Sequence, residues 1–112
     1  MKKDREISHI RLRRHRVLTA ISKYPNQDHV VSQRNMLVGL WAGTQLGLSG
    51  ERRAIYALEV MAAGLMKPEP GDVVDKVAND FMENGVSIGR SEILVQVSTT
   101  HHLVDRLGKA IH

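Results

Sequence analysis

The stretch Val73-Val74-Asp75-Lys76-Val77-Ala78-Asn79-Asp80-Phe81-Met82-Glu83-Asn84-Gly85-Val86 decides the fold class. Val73, Val74, Val77, Ala78, Phe81 and Met82 recur at spacings of three and four, which places them on one face of an α-helix. A half-buried strand needs apolar residues at every second position, and this stretch does not supply them. Asn84-Gly85-Val86 reads as a helix stop, in which the glycine adopts the left-handed cap and the valine folds back onto the last turn. The spacing predicts a helix over 72–84.

The same grammar repeats upstream. Lys67-Pro68-Glu69-Pro70-Gly71 is a turn. Before it, Ser49 is an N-cap with Glu51 in the first turn, where a carboxylate meets the positive helix end. Ala54, Leu58, Met61, Ala62 and Leu65 then repeat at helical spacing, and the helix is expected to end near Gly64. Gly47-Leu48 closes the preceding helix, expected over 29–46 with Asp28 as its cap. Its apolar face reads Val30, Leu37, Val38, Trp41 and Ala42, and Trp41 is expected to be the largest core side chain.

Downstream, a helix starts near Arg90 with Gly89 as N-cap, Glu92 at the third position, and Ile88 and Ile93 flanking the cap as a hydrophobic staple. Ile93, Leu94, Val97, Val104, Leu107 and Ile111 are expected to face inward. At the other end, residues 7–22 form a helical pattern with Ile7, Ile10, Val17, Leu18 and Ile21 on a narrow stripe. Tyr24-Pro25-Asn26 ends it, because Pro25 lacks an amide hydrogen and pushes Tyr24 out of the α region. The chain is therefore expected to be all-α: a small four-helix bundle over 28–112, preceded by a basic arm over 1–27, helical or partly disordered.

Composition narrows the function classes. The chain has 112 residues, one domain's worth. It has no cysteine, so disulfides, thiolate metal sites and a cysteine nucleophile are excluded. No apolar run approaches the ~20 residues of a membrane-spanning helix, and no apolar signal core follows the basic start, so a cytoplasmic, non-spanning protein is expected. Residues 1–25 hold eight Lys or Arg against Asp4 and Glu6, a net of +6, whereas residues 26–112 hold eight basic and ten acidic side chains, a net of −2. A cationic arm on a mildly acidic body points to an acidic partner.

Catalytic constellations are not found. His9, His15, His29, His101, His102 and His112 offer no pair at i, i+3 or i+4 for a helical metal site, so none is expected. Asp72, Asp75, Asp80 and Glu83 could pair on one helix for acid–base work, but an exposed polar face opposite the Val77–Phe81 stripe is the expected reading. No GxxxxGK[ST], GxGxxG or nucleophile elbow occurs. The candidate site is the arm, where Arg11-Leu12-Arg13-Arg14-His15-Arg16 is dense enough to grip phosphates. A solvated helix, a protein-docking element, and a nucleic-acid or lipid contact are all compatible with it. No aromatic interleaves the run, which weakens a single-strand stacking reading.

The order of several motifs resembles a known family. Gln33-Arg34-Asn35-Met36-Leu37-Val38-Gly39-Leu40-Trp41-Ala42 is similar to an R-N-x-L-x-G-L-W-A signature, followed by Leu46-Gly47-Leu48-Ser49-Gly50. Tyr56-Ala57, Glu59-Val60, Glu69-Pro70-Gly71-Asp72 and Val74 continue the match, and Asp80-Phe81 through Asn84-Gly85-Val86 and Ile88 match a D-F-x-x-x-G-V-x-I element. These resemble the zeta subunit family, small inhibitors of alphaproteobacterial F-type ATP synthases, over about residues 33–112. The resemblance implies a four-helix fold and a non-enzymatic regulator whose N-terminal region enters a catalytic interface of the F1 head, against its alpha, beta and gamma subunits, and blocks rotation in the hydrolytic direction. It also implies weak nucleotide binding to the bundle, with no other cofactor.

The partner-binding residues expected on this chain, from the resemblance together with its charged arm, are Asp4, Arg5, Glu6, Ile7, Ile10, Arg11, Arg13 and Arg14. Only Asp4-Arg5-Glu6 represents the family's acidic, aromatic-bearing opening, and the stretch that follows is basic. The alternative is a divergent paralogue whose basic arm binds nucleic acid or another acidic partner. A monomer is expected when the protein is free, and a peripheral position at the membrane when it is bound to the synthase.

Overall fold

The computed structural model describes residues 29–66 and 70–111. They form four helices: α1 His29–Gln45, α2 Gly50–Met66, α3 Pro70–Glu83 and α4 Arg90–Ile111. No strand occurs among the described residues, and the all-α, four-helix expectation holds. The helix expected over 7–22, the break at Tyr24-Pro25-Asn26, the cap at Asp28 and the turn residues 67–69 lie outside the described residues, as does the Ile111 side chain.

The stops are those the sequence predicts. Gly47 has φ 83°, the Leu48 amide donates to the Gly43 carbonyl at 2.9 Å, and the Gly47 amide donates to Thr44 at 3.0 Å. This pair of bonds satisfies the orphan carbonyls of the last turn, and the left-handed glycine lets Leu48 return into the core. α3 ends the same way: Gly85 has φ 72° and the Val86 amide reaches the Phe81 carbonyl at 2.9 Å. At the helix starts, the Ser49 carbonyl accepts from Arg53 and the Gly89 carbonyl accepts from Ile93, so both residues occupy the expected cap positions. Two ends differ from expectation: α2 runs on to Met66, and α3 begins at Pro70, whose fixed φ suits a first turn. The β-branched stretch 95–100 is helical without interruption.

α1 packs most extensively on α2 and also on α4, and α3 packs on the same two neighbours. The shared core is Val38, Ala42, Leu46 and Leu48, Tyr56 and Val60, Val73, Val74, Val77 and Phe81, and Ile93 and Val97. Each of the Val, Leu, Ile and Phe side chains among them contributes roughly 1.5–3 kcal/mol by leaving water. A smaller cluster, Ala62 and Leu65 with Leu58 against it, extends the core along α2.

The centre of α1 corrects the sequence reading. Its buried residues are Arg34, Asn35, Val38, Gly39, Ala42 and Gly43, a face of small and polar groups. A Cβ on Gly39 would lie 2.6 Å from the Ala57 Cα, so the two backbones approach too closely for a large ring to lie between them. Trp41 is therefore half-buried at the rim and meets Phe81 edge-on, with ring centroids 5.7 Å apart. The largest fully buried side chain is Tyr56. Leu37, Met82, Leu94 and Leu107, all expected inside, are exposed, Met82 by 74%; Ala54 is exposed as well. Each lies beside the seam its helix buries, and a four-helix ring has no second layer to cover those flanks.

Candidate functional site

The partner-binding residues expected from the sequence, Asp4, Arg5, Glu6, Ile7, Ile10, Arg11, Arg13 and Arg14, all lie outside the described residues. The described residues are those of the four helices, which begin with His29 on α1.

A polar network fixes the α2–α3 side of this platform. Tyr56 and Glu59 stand one turn apart on α2, and Lys76 and Asp80 stand one turn apart on α3. The Tyr56 hydroxyl donates to Asp80 Oδ2 at 2.7 Å. Lys76 Nζ donates to Asp80 Oδ2 at 3.0 Å and to Glu59 Oε1 at 2.9 Å, and lies 5.2 Å from the Tyr56 ring centroid. Glu59 is 5% exposed, so its charge is held in the interior by a paired ammonium. Burial raises the Tyr56 phenol far above its ordinary range, and the adjacent Asp80 carboxylate raises it further, so the phenol holds its proton to higher pH than a free tyrosine does.

This changes the reading of the acidic residues of α3. Asp80 was expected with Glu83 on a solvated face; it bridges to α2 instead. Asp75 does face water, where it pairs with Arg90 at the start of α4. The signal for the network was present as Lys76 and Asp80 at i, i+4, but their α2 partners are 17 and 24 residues away in sequence.

The α1–α4 side carries a second cluster. Arg34 Nε donates to Asn35 Oδ1 at 2.9 Å, and Arg34 Nη1 lies 3.4 Å from His101 Nδ1 on α4. Asn35 sits over Gly64, where a Cβ would lie 2.0 Å from Asn35 Nδ2. His101 and His102 stand 6.2 Å apart, ring to ring, and no group of three or more metal-ligating side chains occurs among the described residues. Further along the same seam, Val30, Gln33, Met36 and Leu37 of α1 and Val104 and Leu107 of α4 line an apolar groove of about 680 Å³. No helix among the described residues is long and apolar enough to cross a membrane.

The buried polar groups thus tie helices to one another: Asn35 against Gly64 joins α1 to α2, and Glu59 with Lys76 joins α2 to α3. Arg34-Asn35, Gly39, Tyr56, Glu59 and Asp80 are also among the residues through which the sequence resembles the zeta subunits. No curated protein and no solved structure matches the chain significantly. The family model described as ATPase inhibitor subunit zeta matches residues 26–105, more than half of the chain. The chain belongs to the ATPase inhibitor subunit zeta family.

Proposed function

We propose that the protein is a non-enzymatic regulator that binds the F1 head of an F-type ATP synthase and suppresses ATP hydrolysis. The observation that carries this is the family match over 26–105. In this reading the chain divides into an arm over 1–27 and a four-helix platform over 28–112. The arm enters the interface between alpha, beta and gamma subunits with Asp4, Arg5, Glu6, Ile7 and Ile10, and Arg11, Arg13 and Arg14 meet acidic surface beside it. Two features support the division: the concentration of positive charge before Pro25, and a matched region that begins at residue 26, after the arm's charge. The platform contributes rigidity through its internal ion pairs and close helix contacts.

The test is an ATPase assay with the cognate F1. Purified protein lowers hydrolysis, and removal of residues 1–23 abolishes the effect while the circular dichroism of the bundle is unchanged. Absence of inhibition at high molar excess would overturn the reading.

The arm's net +6 favours one alternative, a paralogue that binds nucleic acid or another acidic partner. Phosphate binding by several Lys and Arg weakens steeply with salt. A gel shift at low salt that disappears at moderate salt supports it, and no shift at low salt ends it.

A further inference from the structure

The corner between α3 and α4 carries a reactive pair. Asn84 is followed by Gly85, whereas none of the other asparagines, Asn26, Asn35 and Asn79, precedes a glycine. The Cγ of an asparagine is open to attack by the backbone nitrogen of the next residue, and glycine, without a Cβ, hinders that approach least.

Three features of the fold leave this pair open to reaction. Gly85 is exposed, and a Cβ built on it would meet nothing within 4 Å, so water reaches the corner. The Gly85 amide donates to no carbonyl among the described residues, whereas Gly47 at the end of α1 donates to Thr44 at 3.0 Å. The attacking nitrogen is therefore not held in a backbone hydrogen bond. Asn84 lies one residue beyond the end of α3, and helix ends fray. Its side chain is held there through Nδ2, which donates to the Asp80 carbonyl at 2.8 Å.

We infer that Asn84-Gly85 is a site of spontaneous deamidation, with water as the only reagent. The Gly85 nitrogen bonds to Asn84 Cγ and gives up its proton. The Cγ–Nδ2 bond breaks, and Nδ2 takes that proton and leaves as ammonia. The result is a cyclic imide in which the Gly85 nitrogen is bonded to both Cγ and the main-chain carbonyl carbon of residue 84. Water then opens the ring without oxidation or reduction. Addition at Cγ restores the main chain and leaves an aspartate. Addition at the main-chain carbon leaves an isoaspartate, in which the chain runs through Cβ and Cγ.

Both products weaken the corner. Each replaces the Nδ2 donor by a carboxylate oxygen, so the Asp80 carbonyl loses its partner and faces a negative group instead. The new charge also sits at the negative end of α3, in the company of Asp80 and Glu83. The isoaspartate further lengthens the chain ahead of Val86 and Ile88, which pack on the core. The modification is thus an irreversible loosening of the α3–α4 connection, and release of the Asn84–Asp80 bond gates it.

The test uses the folded full-length chain, incubated at mildly alkaline pH beside an unincubated control. Trypsin then releases residues 77–90, a peptide that also holds Asn79 as an internal reference. Mass spectrometry is expected to show loss of the amide form at Asn84 with Asn79 intact, and incorporation of heavy oxygen when the incubation is in labelled water. Methylation by a protein isoaspartyl methyltransferase identifies the isoaspartate fraction. Asn84→Gln, which would need a larger and slower-forming ring, stays unmodified. The converted protein and the Asn84→Asp variant both unfold at a lower temperature than fresh protein. Persistence of Asn84 in the folded chain, over a period in which the urea-unfolded chain converts, would overturn the proposal. Conversion of Asn79 as fast as Asn84 would overturn it too, and an unchanged unfolding temperature after conversion would overturn the loosening.

Discussion

The Tyr56 hydroxyl on α2 donates to Oδ2 of Asp80 on α3 at 2.7 Å, and Lys76 closes the group by binding both Asp80 and Glu59. This contact joins two helices through a phenol that burial keeps protonated. It has a consequence in alkali. A group whose folded pKa is raised stabilises the fold below its unfolded pKa and loses that contribution as pH climbs through the folded value. From about pH 10, where an unfolded tyrosine ionises, unfolding of this protein releases a proton from Tyr56, so stability falls as pH rises. In a Tyr24→Phe background, the tyrosinate absorbance appears together with loss of helical circular dichroism and not before it. Tyr56→Phe removes this coupling and costs about 1.5–3 kcal/mol near neutrality, measured by urea unfolding.

Lys76 is the counter-charge of a carboxylate that is almost fully buried. Lys76→Met leaves Glu59 without that ammonium and destabilises the bundle by roughly 2–4 kcal/mol. Adding Glu59→Leu removes the buried charge itself and recovers part of the loss. The double variant is therefore more stable than the sum of the single losses predicts, and a denaturation cycle over the four proteins measures the coupling. Simple additivity would show that Glu59 is not held by Lys76.

Gly39 and Gly108 predict opposite signs for one substitution. Gly39→Ala drives a Cβ to 2.6 Å from the Ala57 Cα and 3.0 Å from its carbonyl oxygen, both backbone atoms that cannot rotate away. α1 and α2 must separate, at a cost of about 1–3 kcal/mol or more. Gly108→Ala meets nothing within 4 Å in the body of α4 and raises stability by roughly 0.5–1 kcal/mol through helix propensity. Thermal unfolding of the pair decides the point.

Trp41 packs on Phe81 from the rim of the core. Trp41→Ala costs about 2 kcal/mol, for the covered part of the ring and its edge-on contact. Full burial would bring the loss to roughly 3–5 kcal/mol. Trp41→Phe keeps most of the stability, because the pair geometry with Phe81 is preserved. Urea titrations followed by circular dichroism compare the three proteins.

Much of this bundle could be read directly from short-range pattern. The Val73–Phe81 face of α3 is buried as its spacing predicts, and Gly47-Leu48 and Gly85-Val86 close their helices as read, because helix periodicity and capping depend on residues within one or two turns of each other. α1 resisted such reading, since the face it buries holds Arg34, Asn35, Gly39 and Gly43, and hydropathy assigns no inward direction to small and polar groups. The candidate site was legible only as a charge pattern in the arm, because what the arm touches is not specified by its own residues.

Local sequence therefore determined the helices, their stops, the separation of charge between arm and body and, through motif order, the family. Tertiary structure alone decided that the α1–α2 approach is closed by Gly39 against Ala57, that Trp41 moves to the rim, that Tyr56, Glu59, Lys76 and Asp80 meet, and that Leu37 and Leu107 share an open groove. The physical reason is range. A cap or an amphipathic stripe is a contact between near neighbours in the chain, whereas helix separation and buried ion pairs depend on groups that only the completed packing brings together.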